Sequence, residues 1–176
     1  MSDDVFLPWG VVTPEFWTVT EAVPGLRAPS NVPVAERIAE ISALATEGAL
    51  EKATLLAGQL DEDHTAACGG TVTTATADIR EIRGYLASLS GDHRAAVGWY
   101  LHMVRLRAGL HGPHHPDTEA AVRRTYSLWR GIGNPILSHR LGQELLTSVI
   151  GIQGPHSATA VRIRQVLARP ALEPPA

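Results

Sequence analysis

Residues 91–118 read GDHRAAVGWYLHMVRLRAGLHGPHHPDT, and two neighbouring stretches of the chain repeat the main features of this one. The opening glycine recurs at Gly48 and Gly133, at offsets of 43 and 42 residues. In each copy a small residue follows five positions later and a second glycine 21 positions later. These residues are Ala53, Ala96 and Ser138, and Gly69, Gly112 and Gly154. A fixed period of about 20–50 residues is typical of a solenoid, in which each unit buries its apolar face against its neighbours.

Apolar residues ahead of each opening glycine recur at the spacing of an amphipathic helix. The three stripes are Val34, Ile38, Ile41 and Leu44; Ile79, Ile82, Leu86 and Leu89; and Val122, Tyr126, Trp129 and Ile132. A second helix follows each glycine, and Asn134 with Pro135 is typical of such a helix start. No strand pattern is present. We therefore expect an all-α, helical-hairpin solenoid of three repeats over residues 34–168, with a C-terminal capping helix from about Ser157 to Ala168.

Two segments flank the repeats. Residues 1–33 form an N-terminal arm rich in prolines and aromatics, and residues 169–176 form a proline-rich tail. The arm holds four of the nine aromatic residues of the chain. Because disordered arms are normally poor in aromatics, we expect Trp9, Phe16 and Trp17 to dock on the solenoid, on a second copy or on a partner.

The formal net charge of −3 is unevenly distributed along the chain. Residues 1–92 hold 14 acidic and 5 basic side chains, whereas residues 93–176 hold 4 acidic and 10 basic ones. This asymmetry favours an acidic partner or head-to-tail self-association into a homo-oligomer, and a solvated surface is the alternative. The pI near 6.2 argues against a dedicated nucleic-acid binder.

The sequence also indicates a compartment. No stretch approaches the roughly 20 apolar residues of a membrane-spanning helix, and the N-terminus lacks the pattern of a signal peptide. The single cysteine, Cys68, allows no internal disulfide. We therefore expect a cytoplasmic protein without membrane association.

Arginines form the most suggestive row of candidate binding residues. Arg37, Arg80 and Arg123 are spaced 43 residues apart on the first helix of each unit, and Arg162 or Arg164 would extend the row into the capping helix. Arg83, Arg124 and Arg130 lie close by in sequence. If these side chains face a shared groove, they favour an acidic peptide or a free carboxylate. The alternative is that they lie on the flank and pair with Glu36, Glu40 or Glu81.

Other reactive side chains have structural explanations. His111, His114 and His115 cluster in a loop, and His156 recurs at the matching loop, but a metal site needs three or four converging ligands. We expect Asp117 or Thr118 to cap the helix after this loop. Cys68 lacks basic neighbours in sequence, and His64 precedes it by one helical turn. No phosphate-binding loop or catalytic motif is present, so we expect no enzyme activity, no cofactor and no metal.

The second unit resembles a known repeat family. Gly91-Asp92-His93-Arg94-Ala95-Ala96, Trp99-Tyr100, Arg107 and Gly112-Pro113-His114-His115-Pro116-Asp117-Thr118 are similar to the long-period tetratricopeptide repeat (TPR) of kinesin light chain and of many bacterial regulatory proteins. The third unit keeps Gly133, Gly154-Pro155-His156 and Thr159, and the first keeps Gly48, Ala53 and Gly69. The resemblance implies a right-handed superhelix whose first helices line a concave groove that takes up a peptide, a helix or a neighbouring subunit.

These observations predict a non-enzymatic protein–protein interaction module. Its groove, its N-terminal arm or both would bind a partner protein or peptide, and the arginines favour an acidic one. Two alternatives stay open at this point: a regulatory sensor that binds a small molecule or signalling peptide in the groove, and an accessory subunit of an enzyme.

Overall fold

Seven α-helices make up the part of the chain that the computed structural model describes, residues 33–168. They are α1 (Val34–Thr46), α2 (Leu50–Ala67), α3 (Thr74–Leu89), α4 (His93–His111), α5 (Pro116–Arg130), α6 (Pro135–Gln153) and α7 (Ala158–Leu167). No strand occurs among these residues. The predicted all-α class is confirmed. The predictions for the N-terminal arm, including Trp9, Phe16 and Trp17, and for the tail lie outside the described residues.

The helices form a helical repeat solenoid. Each helix packs against the next one along the chain, so that α1 and α2, α3 and α4, and α5 and α6 are hairpins. Contacts between α1 and α3, between α4 and α6, and between α5 and α7 join the units. The capping helix α7 lies against both helices of the third unit. We call α1, α3, α5 and α7 the first helices, because each of the first three opens its unit and α7 continues their series.

Local sequence explains where the helices begin and end. Gly48 and Gly91 adopt φ values of +85° and +79° in the turns within the first two hairpins, a backbone conformation that glycine adopts at little cost. Gly133 occupies the corresponding turn of the third unit but is not in that conformation. The Asn134 side chain accepts a hydrogen bond from the Leu137 N–H at 3.0 Å, which confirms the predicted cap.

The start of α5 differs from its prediction. His115 is the N-cap, its side chain accepts a hydrogen bond from the Asp117 N–H, and Pro116 is the first helical residue. The expectation that Asp117 or Thr118 caps this helix is therefore wrong. A proline suits the first helical position because it has no N–H to satisfy there. The Thr118 side chain instead donates a hydrogen bond to the Gly112 carbonyl at 2.9 Å, which closes the loop before α5.

Small residues stand where helices cross closely. Ala53 and Ala96 are completely buried. A Cβ at Gly142 on α6 would lie only 2.5 Å from Trp129 on α5. The Trp129 ring, 1% exposed, is the largest fully buried side chain among residues 33–168, and its N–H donates a hydrogen bond to the Ser138 carbonyl at 2.6 Å. In the third hairpin, α6 approaches the Trp129 ring so closely at position 142 that a residue with a Cβ atom would clash with it.

Candidate binding surface

The predicted arginine row is not formed, because the 43-residue spacing of the arginines does not match the spacing of the helix starts. The N-caps of α3, α5 and α7 are Thr73, His115 and Ser157, which are 42 residues apart. Arg80 lies seven residues after its N-cap and Arg123 lies eight after its own. One residue turns a helical side chain by about 100°, so the two arginines leave their helices in different directions.

Arg80 and Arg83 point into the stack. Both donate hydrogen bonds to the same carboxylate oxygen of Asp61 on α2, a residue that is 4% exposed. The Arg83 guanidinium also lies 4.1 Å from the centre of the Trp99 ring on α4, and that of Arg80 lies 5.3 Å away. Burial, reinforced by Arg83, lowers the pKa of Arg80 to about 10, which leaves it charged at neutral pH. These side chains tie three helices together rather than face an open groove.

Arg37 on α1 has a similar role. Its guanidinium donates a hydrogen bond to Asp63 on α2 at 3.0 Å, and its side chain is only 11% exposed. The partners of Arg37 and Arg80 therefore lie on a neighbouring helix. Neither of the interpretations from sequence, an open row or pairs within one helix, describes them.

A first hollow opens between α1 and α3. It has a volume of about 360 Å³ and is lined by Ile38, Ser42, Asp78, Glu81, Ile82, Tyr85 and Tyr100. Tyr85 is 39% exposed there, which is high for an aromatic side chain beside a core. Burial, with a further contribution from Glu81, raises the pKa of Tyr100, so its hydroxyl stays protonated at neutral pH. We call this site the tyrosine hollow.

Two arginines from neighbouring helices bind the carboxylates of the tyrosine hollow. Arg107 on α4 contacts Asp78 at 2.8 Å and Glu81 at 3.0 Å. Arg124 on α5 binds both oxygens of Glu81, with Nε at 2.6 Å and Nη2 at 3.1 Å. Of the predicted arginines, Arg124 is thus the one that lies beside this hollow. It joins α3 to α5 through a two-point ion pair, a geometry in which arginine surpasses lysine.

A second and larger cavity opens between α5 and α7. Its volume is about 630 Å³, and its basic lining comes from Arg123 on α5, Arg162 on α7, and His114 and His156 in the two loops before these helices. Among the described residues, one acidic side chain lines this cavity: Glu119, which lies 3.7 Å from Arg123. We call this site the basic cavity. Counted from the N-caps, Arg123 occupies the position that Glu81 holds in α3, so the charge at this position is reversed between the two units.

Hydrogen bonds hold the two loops of the basic cavity in place. The Gln153 amide at the end of α6 donates to the Pro113 carbonyl at 3.1 Å and so links α6 to the loop before α5. Arg164 donates to the Pro155 carbonyl at 2.6 Å. Ser157 caps α7 by accepting a hydrogen bond from the Ala160 N–H. Ser157, Ala158 and Thr159 at the start of α7 also line the basic cavity, so the positive end of this helix dipole lies beside it.

Several side chains of the basic cavity have few or no partners among the described residues. Arg162, His114 and His156 form no side-chain hydrogen bond or ion pair with any other residue between 33 and 168. Arg123 is 62% exposed, and its one ion pair within the described part of the chain is the long contact with Glu119. By contrast, Arg80, Arg83, Arg107 and Arg124 each donate a hydrogen bond to a carboxylate. Of these six arginines, the two without a hydrogen-bonded carboxylate therefore lie between α5 and α7.

The remaining candidates lie apart from both sites. Arg130 is exposed and lies 5.9 Å from the ring of Trp129. The His111 and His115 rings stack at 4.8 Å. Cys68 is half-buried, with its sulfur 3.6 Å from Nε2 of His64. Within residues 33–168, no three side chains of the metal-ligating types come together as a possible metal site.

The basic cavity joins residues that belong to separate patterns in the sequence. His114 and His156 are matching loop residues, and Arg123 and Arg162 belong to the predicted row. The signal that connects them is their position relative to the helix starts, since both histidines directly precede the N-cap of a first helix. That position becomes visible only when the caps are known.

Comparison with known proteins leaves the chain without a family assignment: no protein-family model matches it, and no curated protein matches it significantly. None of the helices between residues 33 and 168 combines the length and the apolar composition that crossing a membrane requires.

Proposed function

We propose that this protein is a non-enzymatic interaction module of the tetratricopeptide-repeat kind, and that its first helices bind an acidic segment of a partner protein. The observation that carries this proposal is the basic cavity, where Arg162 has no acidic partner among the described residues and Arg123 has one long contact, with Glu119 at 3.7 Å. Arginine is well suited to two-point contacts with carboxylates. An acidic side chain of a partner would neutralise the guanidinium groups of Arg123 and Arg162 in this cavity.

The tyrosine hollow supports the same proposal. Tyrosine supplies a large apolar surface and a polar group, and it is enriched in protein interfaces for that reason. Tyr85 is exposed beside Tyr100, and the ion pairs of Arg107 and Arg124 hold the surrounding carboxylates in place. A bound segment with acidic residues in the basic cavity and an apolar residue in the tyrosine hollow satisfies both sites.

A regulatory sensor is the second candidate. The basic cavity, at about 630 Å³, falls within the range of small-molecule sites, about 300–1,000 Å³. Native mass spectrometry of the purified chain separates the two functions. A stoichiometric bound compound that is lost on denaturation favours the sensor, and a mass equal to that of the bare chain favours the interaction module.

Selection from a displayed library of random peptides tests the proposal. We expect the full chain to enrich peptides with two or more acidic residues. Arg123→Glu and Arg162→Glu should lower their affinity about tenfold each, because each reversal removes a charge-assisted contact of roughly 1.4 kcal/mol or more.

The chain offers a matched control for these variants. Arg140 on α6 is also 62% exposed and is paired with Glu144 four residues later at 3.8 Å, as Arg123 is with Glu119 at 3.7 Å. Arg140→Glu changes the net charge equally but lies outside the basic cavity. If Arg140→Glu lowers the affinity for the enriched peptides as much as Arg123→Glu does, the peptides do not bind in the basic cavity.

A further inference from the structure

We propose that the basic cavity binds a phosphate monoester, carried by a phosphorylated serine or threonine in the partner segment. This inference rests on the proposed function and names the group that the cavity recognises. Its basis is the meeting of two guanidinium groups, two imidazoles and the start of a capped helix around one space of about 630 Å³.

The number and placement of donors match a phosphate group better than a single carboxylate. Arg123 and Arg162 approach the cavity from different helices, α5 and α7. Their two guanidinium groups bring more positive charge than the single negative charge of one carboxylate balances. A phosphate monoester presents three terminal oxygens and a charge of about −1.5 to −2 at neutral pH. Each guanidinium can then bind a separate pair of oxygens, as arginine commonly does with phosphate.

The start of α7 adds a second set of donors. The Ala160 N–H is used by Ser157, whereas the N–H groups of Ala158 and Thr159 precede the first intrahelical hydrogen bond of the helix. Both residues line the basic cavity. Orphan N–H groups and the positive end of the helix dipole favour an anion at this position. Because the arginines lie beside this helix start, the two sets of donors reach the same volume.

The charges nearby favour one isolated phosphate over a nucleic-acid strand. A strand needs a track of cations along its backbone. In the adjacent tyrosine hollow, Asp78 and Glu81 bring negative charge that Arg107 and Arg124 balance. A second phosphate would find no excess positive charge there.

Titration of the full, ¹⁵N-labelled chain with N-acetyl-O-phosphoserine amide tests the inference, and N-acetyl-aspartate amide is the parallel probe. We expect saturable shifts of the Ala158 and Thr159 amide signals with phosphoserine, and an affinity at least about fivefold lower with aspartate. Arg123→Ala and Arg162→Ala should each weaken phosphoserine binding about tenfold. Arg140→Ala should leave it within about twofold.

Three results would overturn the inference. One is equal affinity for aspartate and phosphoserine, in which case the site recognises carboxylates and the proposed function stands without phosphorylation. Another is the absence of shifts with phosphoserine while selected acidic peptides still bind. The third is tighter binding of a short single-stranded DNA than of phosphoserine, with the same dependence on Arg123 and Arg162. Failure of the proposed function is different, since it requires that neither the selected peptides nor phosphoserine bind.

Discussion

The buried charge cluster around Asp61 gives the sharpest prediction of stability. Asp61→Asn keeps the size of the side chain but removes the negative charge that Arg80 and Arg83 share. Arg80 is 10% exposed in its side chain and stays charged at neutral pH, because its pKa falls only to about 10. The variant therefore contains two close positive charges, one of them buried.

The expected cost follows from these burials. Removing one partner of a buried ion pair costs about 3–5 kcal/mol, since the other charge stays desolvated. Arg83 is 30% exposed and can turn toward water, so the lower end of this range applies. We expect the free energy of unfolding to fall by about 3 kcal/mol, which corresponds to a loss of roughly 10 °C in Tm for a domain of this size.

Urea unfolding followed by far-UV circular dichroism measures the effect. Asp63→Asn is the matched control, because Asp63 on the same helix accepts a 3.0 Å hydrogen bond from Arg37 but is 49% exposed. Because water reaches the Asp63 carboxylate, we expect this pair to contribute about 1 kcal/mol, less than the pairs of the buried Asp61. If Asp61→Asn costs no more than Asp63→Asn, the cluster is not a buried unit and the reasoning is refuted.

Two further predictions concern packing and pH. Gly142→Ala places a Cβ 2.5 Å from the Trp129 ring and should lower the free energy of unfolding by about 1–3 kcal/mol. Gly151→Ala lies on the same helix with open space around it, so it should be neutral or stabilising. Equal melting temperatures for the two variants would contradict the close crossing of α5 and α6. Burial, with nearby arginines, lowers the pKa of His102 from 6.5 to about 4. Between these two pH values the unfolded chain binds more protons at His102 than the folded one does. The free energy of unfolding should therefore fall as the pH drops from 6.5 to 4, by at most about 3 kcal/mol. His102→Gln should remove this part of the pH dependence. If the free energy of unfolding of the unsubstituted chain and of His102→Gln changes with pH in the same way, His102 does not cause it.

The solenoid is readable from sequence because its signals are local. Glycines at the turns, Asn134 at a helix start and apolar stripes act within a few residues, and they repeat at a nearly constant period. The turn after α5 is less predictable. Gly133 keeps the period but not the left-handed conformation of Gly48 and Gly91, because α5 ends one residue earlier relative to the repeat.

The site is less readable because it depends on neighbours that are distant in the chain. A spacing of 43 residues in a stack whose helix starts repeat every 42 places Arg123 about 100° away from Arg80. The partner of Arg80 is Asp61, which belongs to a different helix and to no repeat pattern. One residue of register thus decides whether an arginine ties the core together or opens into a cavity.

The measurement that tests the account most directly is amide chemical-shift mapping of a selected acidic peptide on the labelled full chain. A surface formed by the first helices predicts that the largest shifts lie at Glu81, Tyr85 and Arg124, and at Ala158 and Thr159 in the first turn of α7. Shifts confined to outward positions of the second helices, such as Lys52 and Arg140, would contradict it.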